Sequence, residues 1–172
     1  RMGKDTAATG DRLHLALALI SLWLVATSPW LDMLRRVPAG AGWLDYAHVA
    51  LGFATLVAGV AYASICLRAG RRGLYLPWSV SGLRTVGCDL AGLLRGRVPA
   101  SEGGGLIGFV EGLLLLALVA TALTGAGWFL AQGGDAALTW RAQHLIAARA
   151  LVGLLVLHVV TVSLHLLDFV RD

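Results

Sequence analysis

The 172-residue sequence is poor in charged residues and in cysteine. Charged side chains make up 14% of it, whereas 58% of its residues are hydrophobic and the mean hydropathy is +0.76. This composition excludes an ordinary soluble domain. The only two cysteines, Cys66 and Cys88, belong to no Cys-x-x-Cys-His motif, which excludes covalent attachment of a c-type haem to this chain. A Walker loop is also absent, so a nucleotide site of that type is excluded.

Four apolar segments dominate the sequence, at about residues 13–31, 44–67, 106–131 and 144–167. Each is close to or above the ~20 residues that a helix needs to cross ~30 Å of hydrocarbon. The sequence therefore predicts an all-α, integral membrane four-helix up-down bundle, which forms a single transmembrane domain over the whole chain. The connection 68–105 has leucines near helical spacing. It is predicted either as a short amphipathic helix on the membrane or a partner, or as a loop that caps the bundle.

The distribution of basic residues predicts the orientation of the spans. Three arginines lie on the side of the connections 32–43 and 132–143, and ten basic residues lie on the opposite side, before the first span, within 68–105 or after the fourth span. Positive-inside bias then places both termini and the connection 68–105 in the cytoplasm. Because the basic excess is explained by topology, binding to nucleic acid is not predicted.

The last span carries histidines on one face. His144 and His158 are 158 − 144 = 14 residues apart. At about 100° per residue both rings leave nearly the same face, about 21 Å apart along the helix axis. His165 is seven residues further on and keeps to that face. An imidazole in hydrocarbon needs a partner. Two rings on one face, one toward each membrane surface, could hold two b-type haems stacked across the bilayer.

Each haem then needs a second histidine from another span. Spans two and four run in the same direction, so His48 is level with His144 on the outer side. Span one begins on the inner side, where span four ends, so His14 is level with His158. The sequence predicts two bis-histidine iron sites, His48–His144 and His14–His158. His165 is the alternative inner ligand, but we prefer His158 because it lies deeper in the membrane.

Other residues fit the same interpretation less specifically. Gly52 follows His48 by one turn and offers the low relief that a porphyrin face needs, although helix packing needs glycine too. Arg35 and Arg36 are candidates to pair haem propionates on the outer side. The alternative is a haem-free membrane anchor or assembly subunit, in which the histidines bind neighbouring helices or a metal.

Several short motifs together resemble a known family. They are Arg12-x-His14, His48-x-x-x-Gly52, Thr124-Gly125, His144 with His158, and a C-terminal stretch with His165, Asp168 and Arg171-Asp172. With them the chain resembles the cytochrome b561 superfamily of bacterial membrane proteins. That group includes stand-alone quinol-oxidising cytochromes b561 and the cytochrome b subunits of nickel–iron hydrogenases, formate dehydrogenases and thiosulfate reductases. The resemblance covers nearly the whole chain, and the histidine spacing is its specific part. Leu15 stands where the family often has Trp, and the long connection 68–105 resembles the subunit type.

The resemblance implies a dihaem cytochrome b in the inner (plasma) membrane of a bacterium. Such a protein carries electrons between the quinone pool and a redox partner subunit of an oxidoreductase complex. Quinone chemistry also moves protons, so a titratable group is needed near a haem and the aqueous edge. His165 and Glu111 are the candidates for this catalytic role in the inner half. The alternative is that His165 hydrogen-bonds at the lipid interface and Glu111 pairs with a loop arginine such as Arg97.

Overall fold

A computed structural model of the chain describes residues 2–68, 79–96 and 105–171, with side chains described for 8–68, 79–96 and 105–163. Within these ranges all regular structure is helical. The elements are α1 (Met2–Thr27), a short 3-10 helix (Ser28–Trp30), α2 (Trp43–Arg68), α3 (Val80–Leu93), α4 (Gly105–Ala131) and α5 (Ala136–Arg171). The prediction of an all-α fold is confirmed.

Four of the described helices are long and apolar enough to cross a membrane. The candidate spans are Ala8–Trp30, Trp43–Arg68, Gly105–Ala131 and Ala136–Ser163. Between 11% and 33% of the residues in their most apolar windows are buried inside the protein, so most of the apolar surface is left for lipid. The chain is therefore a multi-pass protein of a lipid bilayer.

The last helix begins at Ala136, which is 144 − 136 = 8 residues before the predicted span. Two polar-tipped side chains in this extra stretch have partners. The indole of Trp140 lies against Gly127, where an added Cβ would meet its ring at 2.6 Å, and the Arg141 guanidinium donates to the Met33 carbonyl. Because these groups are packed or paired, the helix extends through a segment that hydropathy alone assigns to a loop. His144 accordingly lies about two turns inside α5.

Contacts divide the chain into two compact units. The first contains Arg1–Ile65 and Ala117–Leu151, and the second contains Cys66–Leu116 and Val152–Asp172. The prediction of a single transmembrane domain stays a prediction.

Within the first unit, α2 packs on the last turns of α4. The rings of Phe53 and Phe129 meet edge to face with centroids 5.7 Å apart. A Cβ on Gly59 would lie 3.3 Å from Val119 Cγ2, so glycine permits the two backbones to approach closely.

Within the second unit, α3 is joined to the beginning of α4. Ser79 starts α3, and its hydroxyl accepts the Gly82 amide at 3.1 Å. Asp89 then accepts the amide of Leu106, the second residue of α4, at 2.8 Å. Gly105 has φ +66°, and a Cβ there would lie 2.2 Å from the Asp89 carboxylate, so only glycine fits. Of the two alternatives for the connection 68–105, the short helix is confirmed over Val80–Leu93.

Candidate haem site in the first unit

α2 positions His48 on its second turn. The Asp45 carboxylate accepts the Gly42 amide at 2.8 Å and so fixes the first turn of the helix. The His48 ring is half-buried, and its Nδ1 is buried without a hydrogen-bond partner among the described residues. A buried polar atom in this state is costly unless something else satisfies it.

α5 presents His144 in a defined tautomer. Its Nδ1 lies 2.9 Å from the carbonyl oxygen of Thr121 on α4. A carbonyl can only accept, so Nδ1 carries the proton and donates it. In the neutral ring Nε2 then holds the free lone pair. An Nδ1–H bond to a backbone carbonyl is the usual way in which a protein orients a metal-ligating imidazole.

The ring of His144 also fits closely against α4. A Cβ added to Gly125 would lie 3.0 Å from His144 Cε1 and 3.1 Å from Nδ1. The neighbouring Thr124 hydroxyl bonds the Ala120 carbonyl at 2.7 Å, within its own helix. The glycine of the Thr124-Gly125 motif therefore has a steric role, because the absence of a side chain leaves room for the imidazole of His144.

The structure brings His48 and His144 into one region of the first unit. His48 lies on α2 and His144 on α5, and both residues belong to the same compact unit. Beside His48, a Cβ on Gly52 would meet no atom within 4 Å. Thr55, one further turn along that face, is 1% exposed and its hydroxyl has no partner among the described residues. The open space at Gly52 leaves room for a planar group beside His48, whereas the His48 Nδ1 and the Thr55 hydroxyl each need a polar partner of their own.

A set of polar contacts ties the α1–α2 connection to the α4–α5 turn, and it is here called the outer clasp after the side of the membrane that the sequence predicts for these connections. Trp128 Nε1 donates to the Leu34 carbonyl at 2.8 Å, and the Gly133 amide donates to the Arg35 carbonyl at 2.9 Å. The Arg35 guanidinium bonds the Gly134 carbonyl at 3.2 Å and pairs with Asp135. The clasp joins the connection that precedes α2 to the turn that precedes α5.

The two residues predicted for the inner site, His14 and His158, belong to different compact units. His14 is exposed on α1, and its ring centroid lies 5.7 Å from that of Tyr62 at an interplanar angle of 51°. His158 lies in the second unit, half-buried, with an Nδ1 that is buried and has no partner among the described residues. The pairing of His14 with His158 stays a prediction.

Tyr62 is a residue that the sequence analysis missed. It follows His48 by 62 − 48 = 14 residues, the same spacing that separates His144 from His158. This repeated 14-residue spacing, here with a tyrosine in place of the second histidine, was the sequence feature that could have identified Tyr62. Its ring contact with His14 makes it a neighbour of the predicted inner ligand.

The structure gives only the position or the exposure of most of the other residues that the sequence predicted for the site. Arg35 belongs to the outer clasp, whereas Arg36 is exposed. Glu111 is half-buried on the second turn of α4. His165 is part of α5, but its side chain lies outside the described side chains, as does Arg97.

No group of three or more histidine, cysteine, aspartate or glutamate side chains within the described ranges could hold a metal ion. A bis-histidine haem site uses two protein ligands, so it is a different arrangement from such a group. Comparison of the chain with protein-family models, with curated proteins and with solved structures gave no match. The resemblance to the cytochrome b561 superfamily therefore stays a prediction.

Proposed function

We propose that the chain is a dihaem b-type membrane cytochrome that transfers electrons across the membrane between the quinone pool and a redox partner. We further propose that it is a membrane subunit of an oxidoreductase complex in a bacterial inner membrane, with both termini cytoplasmic. The observation that carries this proposal is the fixed His144 ring. Its Nδ1–H is bound to Thr121, which leaves the Nε2 lone pair free to bind iron.

His48 and His144 would hold the outer haem, and His14 and His158 the inner one. Haem iron with two histidine ligands is coordinatively saturated and supplies one-electron transfer without binding oxygen. The hydrogen bond from His144 to Thr121 holds the ring in place and fixes the tautomer in which Nε2 can bind a metal. The Gly52 surface supplies the flat contact that a macrocycle needs.

The proposed quinone site lies on the inner side. His165 follows His158 by two turns on the same face of α5, and Glu111 lies in the second turn of α4. Both side chains can exchange protons, which quinone reduction or quinol oxidation requires. Their assigned role is to accept or deliver those protons beside the inner haem.

Haem stoichiometry tests the cytochrome proposal. A pyridine haemochrome assay on the purified chain should give a ratio near two haems per chain, and the reduced protein should show a b-type α band. A ratio near one would show that one histidine pair is wrong. A folded membrane protein with no α band would instead support the haem-free anchor or assembly subunit.

Quinone-linked turnover tests the second part. The His165→Phe variant should reoxidise its haems more slowly with quinone while both haem spectra stay intact. Glu111→Leu should do the same. Unchanged turnover in both variants would place the quinone elsewhere and would leave the haem proposal standing.

A further inference from the structure

α3 carries an exposed apolar surface, here called the α3 stripe. It consists of Val80, Leu83, Leu90 and Leu94, which are 87%, 51%, 52% and 89% exposed. At about 100° per residue these four side chains fall within an arc of about 80° on the helix surface. Four large apolar side chains on one arc, all in water, would be unfavourable by the hydrophobic effect. The stripe therefore needs an apolar neighbour.

The position of α3 is fixed by Asp89. Its carboxylate accepts the Leu106 amide at 2.8 Å, so α3 lies beside the N-terminus of the membrane-spanning helix α4. By helix geometry Asp89 projects about 120° from Leu83, at the centre of the stripe. Val86 and Leu93, which lie between Asp89 and the stripe, are half-buried. The stripe is thus turned away from α4, at the level where α4 enters the bilayer.

The other edge of α3 is basic. Arg84 is exposed and lies about 100° from Leu83, on the side opposite Asp89, and Arg95 is exposed in the turn that follows α3. Cys88 is exposed and falls on the polar back of the helix. The helix therefore has an apolar base, an anchored acidic edge, a basic edge and a polar back. This is the arrangement of a helix that lies in a membrane interface.

We propose that α3 binds the anionic lipid surface of the leaflet in which α4 begins. The α3 stripe inserts into the boundary between headgroups and acyl chains, and Arg84 and Arg95 bind lipid phosphates. A lipid occupant fits better than a protein partner because α3 is covalently joined to two spans and hydrogen-bonded to the entry point of one. This inference does not depend on the haem proposal.

Site-specific fluorescence in proteoliposomes tests the inference with a matched control on the same helix. Both labelled proteins are the full chain with Cys66→Ala, so that only one cysteine is left for an environment-sensitive probe. In the first protein the probe is attached to the native Cys88. In the second, Cys88→Ser is combined with Leu90→Cys, and the probe is attached at position 90. The vesicles contain phosphatidylcholine and phosphatidylglycerol. The probe at position 90 should emit at shorter wavelength and be quenched by lipids that carry a doxyl group near the headgroup end of the acyl chain. The probe at 88 should be quenched by aqueous iodide.

Two outcomes would overturn the inference. If iodide quenches the probes at 88 and 90 equally, the stripe is in water and is left for a protein partner. If the probe at position 90 is quenched most strongly by lipids whose doxyl group is near the terminal methyl of the acyl chain, α3 does not lie in the membrane interface. The requirement for anionic lipid is tested by varying the phosphatidylglycerol content of the vesicles. The emission wavelength of the probe at position 90 should depend on that content in the parent chain, and the double variant Arg84→Gln/Arg95→Gln should abolish the dependence. A parent chain that shows no such dependence would refute the phosphate contacts.

Discussion

Gly125→Ala provides the sharpest test of the outer site, because it adds a single methyl group against the His144 ring. The new Cβ would lie 3.0 Å from Cε1, whereas ordinary contacts begin at 3.4 Å, so the ring must move by at least 3.4 − 3.0 = 0.4 Å. That displacement would disturb the 2.9 Å hydrogen bond from the ring to the Thr121 carbonyl. Overpacking costs about 1–3 kcal/mol and a lost hydrogen bond about 0.5–1.5 kcal/mol. Since ~1.4 kcal/mol is a tenfold change in affinity, outer haem affinity should fall by about two orders of magnitude.

The assay is the rate of haem transfer from the detergent-solubilised protein to an excess of a haem-scavenging apoprotein. In Gly125→Ala one of the two haems should leave much faster than in the parent chain, and the other should leave at the parent rate. Gly59→Ala is the matched control, since its Cβ would meet Val119 at 3.3 Å in the same unit and touch no histidine. If Gly125→Ala releases both haems at the parent rate, His144 does not bind haem in the proposed position.

Four further predictions test other parts of the molecule. His144→Ala should remove the outer haem spectrum and leave the inner one, and His158→Ala should do the converse; loss of both haems in each variant would contradict two independent sites. Gly52→Ala should lower outer haem content without lowering the melting temperature of the haem-free protein, because no atom lies within 4 Å of the new Cβ; unchanged haem content would refute the open space as a porphyrin contact. Trp128→Phe removes the indole donor to the carbonyl of the exposed Leu34 and should cost about 0.5–1.5 kcal/mol, measured by thermal unfolding in detergent. Asp89→Ala removes the acceptor of the Leu106 amide and should cost about 0.5–2 kcal/mol, seen as faster hydrogen exchange at that amide.

The sequence predicted the four spans because their apolar lengths depend only on composition and bilayer thickness. It placed His48 and His144 at the same end because helix direction alternates from span to span. It could not locate the beginning of α5, since that depends on partners distant in the chain. Trp140 packs against α4, and Arg141 bonds the carbonyl of Met33. Hydropathy along the chain does not record such contacts.

The details of the candidate site were also beyond the sequence. The Thr124-Gly125 motif suggested only a resemblance, whereas the structure gives its glycine a steric role against the His144 ring. Tyr62 was not predicted because the predicted haem ligands are all imidazoles, although its 14-residue spacing from His48 is visible in the sequence. The role of His165 stays a prediction, since its side chain lies outside the described ones.

The outer clasp has a consequence for biogenesis. Arg35 and its partner Asp135 are 100 positions apart in the chain, and Trp128 and Leu34 are 94 apart. During synthesis the first two spans leave the ribosome long before the residues that fix their outer connection. His48 therefore lies in the membrane without its clasp until residue 135 has been synthesised, and without the His144 ring until the last helix has been inserted. Any cofactor held between these two histidines must be loaded after translation of the fourth span, so a nascent chain arrested before residue 136 should insert into the membrane yet bind none at that site.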